Sequence, residues 1–233
     1  MKNYCKTIGA LVAASALAAG NASAEVEAEL HAGYSSAYMF RGVKLGDDLL
    51  ETGLNLATEY NGLGVSGGLW HGTFNYEGVS YTELDIYGEV SKEFSFATLA
   101  LGYIHYDNER DFDGDYQEAY VSASREFYGI ETSLTFFWEI NGDTETYVEL
   151  GAGKSYELSS CLTLNTDAVL GFLQENREFS NIALKASLDY AYSETTTVSP
   201  FIAYSWALTG NEDSAYEYSD NEFTAGTMLS VSF

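Results

Sequence analysis

Asn221-Glu-Phe-Thr-Ala-Gly-Thr-Met-Leu-Ser-Val-Ser-Phe233, the last stretch of the chain, decides how the rest is read. Counted back from the end, Phe233, Val231, Leu229, Thr227, Ala225 and Phe223 share one face, while Ser232, Ser230, Met228, Gly226 and Thr224 share the other. Side chains alternate across an extended strand, so this strand has one apolar face and one small or polar face. At the edge of a soluble sheet such a strand would invite pairing with another chain. In a barrel spanning lipid it has a place: the last strand pairs with the first, and the apolar face meets acyl chains. The expectation is an all-β fold, a transmembrane antiparallel β-barrel.

The front of the chain agrees. Residues 1–24 read as a signal peptide, with Lys2 and Lys6 at the start, an apolar run from Ile8 to Ala19, and the A-x-A site Ala22-Ser23-Ala24 before Glu25. The apolar run is shorter than the roughly 20 residues a spanning helix needs. Residues 25–233 are then the barrel domain. Cys5 falls inside the signal, so Cys161 is left alone and no internal disulfide is possible. Of 233 residues, 35 are acidic and 10 basic, a formal net charge of −25 that excludes nucleic acid as a partner. With 19 Tyr, 13 Phe and a single proline, Pro200, the composition suits strands.

Twelve alternating segments follow, near 28–40, 51–60, 63–73, 81–92, 94–106, 116–126, 130–140, 144–156, 161–172, 181–192, 197–208 and 221–233. An even count of strands about ten residues long suits an outer-membrane barrel. After the even segments the links are short, among them Asn61-Gly62, the strongest tight-hairpin signal in the chain. After the odd ones they are longer and acidic: Arg41–Leu50, Phe74–Ser80, Asp107–Asp115, Gln174–Ser180 and Thr209–Asp220, with Asn141-Gly142-Asp143 the exception. This asymmetry puts the long loops outside the cell and both termini in the periplasm. Aromatics gather at segment ends, as interfacial belts require: Tyr38, Phe40, Tyr103, Trp138, Phe172, Tyr204, Trp206 and Phe223 at the outer end, Tyr60, Phe127, Tyr156, Tyr190, Tyr192 and Phe233 at the inner.

Gly33-Tyr-Ser-Ser-Ala-Tyr-Met-Phe-Arg-Gly42 carries a more specific signal. With Ser36, Tyr38, Phe40, Arg41 and Gly42 in place, it resembles the opening of the TorF-type family of Gram-negative outer-membrane porins. The hairpin with Asn61-Gly62-Leu63-Gly64 and Gly68-Leu69-Trp70 is also similar. The ending on Phe233 resembles the closing strand of Gram-negative outer-membrane barrels, which the outer-membrane assembly machinery reads as a signal. The resemblance implies a small porin-like barrel and brings neither a catalytic residue nor a named solute.

If the apolar faces meet lipid, the opposite faces line the interior. They carry Glu59, Glu83, Asp85, Glu89, Glu118, Glu131, Glu139, Glu145, Glu149, Asp167 and Asp189, against Arg41, Lys185 and His31. Ionised carboxylates are costly in lipid, which supports this choice of face. They make either an acid-lined water path or a hydrogen-bonded filling. Arg41 is a candidate clamp on inward carboxylates that holds loop one, or a register-fixing ion pair; Lys185 and Asp167 are a candidate structural pair. Lys92, Arg125 and Lys154, on outward faces near the inner ends, suit anionic headgroups.

Two motifs are decoys. Asp111-Phe-Asp113-Gly-Asp115 lacks the glycine and glutamate of a calcium hand, since Tyr116 and Ser122 stand there; the loop holds, at most, divalent cations bridging lipopolysaccharide phosphates. Gly151-Ala-Gly-Lys-Ser155 imitates a phosphate loop, but Val148 replaces the required glycine. Two residues beyond His31, His71 and His105 stand Gly33, Thr73 and Asp107, so no nucleophile–base pair appears. The reading is a porin-like, non-enzymatic outer-membrane channel passing small cationic or neutral solutes, with outer-membrane lipid around it and no cofactor. A closed barrel acting through acidic loops and a membrane-active hydrolase are the alternatives.

Overall fold

The computed structural model describes residues 26–108, 115–141, 146–209 and 220–233, so the signal segment lies outside it. Twelve strands follow in order: β1 (Glu27–Phe40), β2 (Val43–Tyr60), β3 (Leu63–Tyr76), β4 (Val79–Glu93), β5 (Thr98–Asn108), β6 (Tyr116–Phe127), β7 (Ile130–Glu139), β8 (Thr146–Ser159), β9 (Leu162–Leu173), β10 (Glu178–Ala191), β11 (Thr196–Ala207) and β12 (Glu222–Ser232). Each pairs with its sequence neighbours, and β1 closes on β12 to complete a barrel. Closure runs from Glu29↔Ser232 to Ser35↔Gly226. The Phe233 amide donates to the Ala28 carbonyl at 2.9 Å and the Ala28 amide donates back at 3.0 Å. The final stretch is thus the closing strand, with Leu229 and Phe223 exposed on one face and Ser230 and Thr224 buried on the other.

The same division runs round the barrel. Leu30, Leu56, Leu69, Ile86, Leu101, Leu134, Leu150, Leu184 and Ile202 are exposed on the outside. A water-soluble surface does not carry so continuous an apolar band; acyl chains are its natural solvent. Gly151–Ser155, the imitation phosphate loop, sits inside strand β8 with no helix after it.

The connections depart from expectation. Arg41–Leu50 and Phe74–Ser80 are not loops: β1 and β2 continue to a two-residue turn at Arg41-Gly42, and β3 and β4 to one at Glu77-Gly78. Gln174–Ser180 likewise shortens, because β10 already starts at Glu178. The physical reason is the turn chemistry. Arg41-Gly42, Asn61-Gly62, Glu77-Gly78 and Tyr128-Gly129 all take positive φ at both residues, from 48° at Arg41 to 86° at Gly42. That is the primed turn whose twist matches a hairpin, and it needs a glycine second more than an asparagine first. Residues 109–114, 142–145 and 210–219 of the other expected loops, including Asp111 and Asp113, lie outside the described residues.

One hairpin leaves the wall. Pairing of β1 with β12 ends at Ser35↔Gly226, and regular pairing of β2 with β3 breaks between Asp47 and Leu50. From Tyr38 to Gly46 the two strands pair with each other, with a register shift at Tyr38/Met39. The extra residue is Leu45 of β2, and a bulge there bends the hairpin. Tyr38 and Phe40, expected in the outer belt, are turned inward instead: Tyr38 joins Leu49, Trp70 and Phe74 in a buried cluster, and Phe40 packs against it. Tyr103, Trp206 and Phe223 keep their outward places.

The lipid-facing exterior makes a direct prediction. Leu134 is 52% exposed at the middle of β7. Leu134→Arg lowers stability in phosphatidylcholine vesicles by about 2–4 kcal/mol, read from reversible guanidinium unfolding, whereas Leu134→Met stays within about 1.5 kcal/mol.

Candidate functional site

The interior divides into two halves along the barrel axis. Toward the short turns and the termini, inward positions carry small and polar residues such as Ser66, Ser91, Ser122, Ser133, Asn165, Ser187 and Ser230. Toward the other end they carry Trp70, Phe74, Ile104, Tyr106, Phe137, Tyr147 and Leu173, all buried. Ile104, Tyr106, Phe137, Tyr147 and Leu173 form a second cluster, on which Phe40 and Val43 of the inturned hairpin pack. Glycine makes room for such rings. A Cβ at Gly72 would run into the Trp70 indole, and one at Gly102 into the Tyr120 phenol.

Arg41 is the centre of the aromatic half. In a closed ring of twelve strands β7 lies opposite β1, and Arg41 reaches that far wall. Its guanidinium donates two hydrogen bonds to the Glu118 carboxylate on β6, at 2.7 and 2.6 Å. The Phe40, Phe137 and Tyr147 rings surround it at 4.8, 4.6 and 4.7 Å from their centroids. Tyr106 donates a further bond to Glu118 at 3.0 Å. The Arg41 and Glu118 side chains are 8% and 5% exposed, so both charges have left water and depend on each other. Beside the pair, the turn presses on the wall again: a Cβ at Gly42 would collide with the Asn181 amide and the Ser205 hydroxyl.

The remaining sequence candidates take varied places. Glu83 and Asp85 sit two apart on the inward face of β4 at 4% and 3% exposure, and Asp85 Oδ1 is buried with no hydrogen-bond partner among the described residues. Glu89 accepts a 2.8 Å bond from Tyr120. Glu149 is half-buried opposite Thr135, whose hydroxyl is buried without a partner among the described residues. Asp167 and Lys185 face each other in register, and the Lys185 ammonium lies 4.7 Å from the Phe201 ring centroid. Asp189 accepts a 2.8 Å bond from Asn165, which also accepts one from Ser155 at 2.7 Å. Glu59 and Glu131 are exposed at the short-turn end, and Glu145 lies outside the described residues. The decisive aromatics were not among the candidates, although parity finds some of them: Tyr120 shares a face with Glu118, and Trp70 shares one with Gly68 and Gly72. Outside, Lys92 and Lys154 lie over the Phe94 and Tyr156 rings at 5.6 and 5.4 Å, at the short-turn end.

No family model and no curated protein matches the chain. Solved structures do. The NanC porin aligns over 88% of this chain and 98% of its own with TM-score 0.52 at 15% identity. The KdgM porin aligns over 89% and 99% with TM-score 0.54 at 8% identity, and it has also been solved in complex with disordered oligogalacturonate. An outer-membrane channel from Pseudomonas putida F1 aligns over 92% and 97% with TM-score 0.56 at 8% identity. At such identities the likeness is one of fold: this chain has the twelve-stranded architecture of small outer-membrane porins.

Removing one partner of a desolvated pair leaves the other uncompensated, so Glu118→Ala lowers stability by about 3–5 kcal/mol, and Arg41→Met combined with Glu118→Leu recovers most of the loss. Thermal unfolding of the three proteins, followed by heat-modifiable gel mobility, checks both values.

Proposed function

We propose that the chain is a porin-like, non-enzymatic channel of the Gram-negative outer membrane, akin to the TorF-type porins, that passes small cationic or neutral solutes down their own gradients. The single observation that carries this reading is the charge of the inward surface. Glu89, Glu131, Asp167 and Asp189 share the polar half with Lys185 and His31, so carboxylates dominate the walls a solute would meet. In a narrow, low-dielectric passage such a surface concentrates cations and repels anions. Oligogalacturonate, which the KdgM porin accommodates, is a polyanion; this interior suits the opposite sign of solute.

The exterior supports the location. The apolar band fits a bilayer, and Lys92, Arg125 and Lys154 at the short-turn end fit anionic phospholipid headgroups if that end faces the periplasm. Both termini then lie in the periplasm, Phe233 is the assembly machinery's recognition residue, and lipopolysaccharide meets the opposite rim. Residues 1–24 serve as the export signal. For hydrolysis the interior offers little: His71 stands on the outward face of β3, and His105 on that of β5.

A second reading has its own observation. With the Arg41 hairpin docked, the aromatic half is packed, and a barrel that never releases it would be a non-conducting scaffold acting through its loops.

Single-channel recording in planar bilayers separates the two. The expected result is discrete steps whose reversal potential under a salt gradient has the sign of cation preference, strongest at low ionic strength. Combining Glu89→Gln, Asp167→Asn and Asp189→Asn moves that potential toward zero. Electrical silence from a folded, heat-modifiable barrel favours the scaffold.

A further inference from the structure

We infer that the β1–β2 hairpin tip, from Tyr38 to Gly46, is a movable plug, and that the Arg41–Glu118 pair is the latch holding it inside the barrel; its consequence for transport rests on the channel reading above. Three observations lead here.

The tip is mechanically separate from the wall. Its strands pair with one another, while the ladders to β12 and β3 lose regularity at the level where the tip begins. β2 is irregular twice near that level: it holds one extra residue, Leu45, opposite the Tyr38/Met39 step, and it carries Asp48 at φ 55°, a left-handed conformation in a residue with a side chain. Two irregularities within four residues give the strand places to absorb a backbone rotation, as a hinge requires, without breaking the barrel's own ladder.

At the far end polar contacts join the packing of Phe40 and Val43. Arg41 donates both of its bonds to one carboxylate, and Gly42 abuts the Asn181 amide and the Ser205 hydroxyl. A hairpin meant to stay packed would be secured best by aliphatic side chains. A buried ion pair differs: its mutual attraction is largely offset by the hydration both charges recover on separating. Docked and released states are therefore closer in free energy than an apolar plug would allow, which is the condition for a two-state element.

The latch sits where it matters. The tip crosses from the β1 side of the barrel to β6, β7 and β8, so docking fills the aromatic half and release would join the acid-lined half to the outside. The planar fork also makes the contact selective. Lysine cannot reproduce a bidentate grip, so Arg41→Lys weakens the latch while keeping the charge.

The test uses the full chain folded in vesicles, with Cys5→Ser and Cys161→Ser removing its two thiols and Val43→Cys placed on the tip. Val43 is half-buried against the aromatic cluster, so an uncharged maleimide reaches it faster when the tip swings out. Glu118→Gln and, separately, Arg41→Lys are expected to raise the labelling rate about tenfold or more, and the apolar pair Arg41→Met with Glu118→Leu to bring it back down. Equal labelling in all of these folded proteins overturns the latch, whatever the conductance. Faster labelling with longer open times supports both the latch and the channel. Faster labelling with no current from any variant supports the latch and removes the channel reading. Arg41→Lys retains a charge opposite Glu118, so the comparison stands if Glu118→Gln does not fold.

Discussion

Every backbone amide and carbonyl that crosses lipid must find a partner within the protein, and this one requirement sets the architecture. Water is absent from the hydrocarbon layer, so an open sheet edge there would leave a row of polar groups unsatisfied. Closure of β1 on β12 removes the edge, and the last residue takes part: Phe233 exchanges two backbone bonds with Ala28. The alternation of side chains follows at once. With one face committed to acyl chains, every charged strand residue must point inward or stand near an end.

That inversion makes the interior the place where the difficult groups collect. Carboxylates, serines, asparagines and a few bases occupy a volume that a soluble barrel would fill with aliphatic side chains. The chain handles its buried charges in two ways. Glu118 is neutralised by a guanidinium and a phenol, while Glu89 and Asp189 are held by neutral donors from Tyr120 and Asn165. Both kinds of contact tie one strand to another across the inside. They stiffen the wall and fix the carboxylates on its inner face.

The inturned hairpin changes what the interior means. A ring of acids in an open tube and the same ring behind a packed plug are different devices, and here the plug comes from the chain's own first hairpin. Its aromatic setting suits a cation. The faces of Phe40, Phe137 and Tyr147 are electron-rich and hold the Arg41 charge without competing for its hydrogen bonds.

The sequence by itself determined the class of fold, the number of strands and the face each central strand turns to lipid. Period-two alternation is a local property of the backbone, readable wherever the pattern is strict, as in Leu54, Leu56, Thr58 and Tyr60 or in the final stretch to Phe233. It also marked Arg41 as a candidate, either a clamp on inward carboxylates or a register-fixing ion pair. Solved outer-membrane porins share the fold. Strand ends were misread, because Arg-Gly and Glu-Gly make the same tight turn as Asn-Gly, and acidic residues near them looked like loop. Only the tertiary structure decided that Tyr38 and Phe40 pack inside, since the tip of the first hairpin turns into the barrel, where residues of either parity meet its interior. Only it selected Glu118 as the partner of Arg41, because the two lie 77 positions apart and on opposite walls. No local pattern encodes which carboxylate faces an arginine across a barrel; that is set by the closure of twelve strands into a ring.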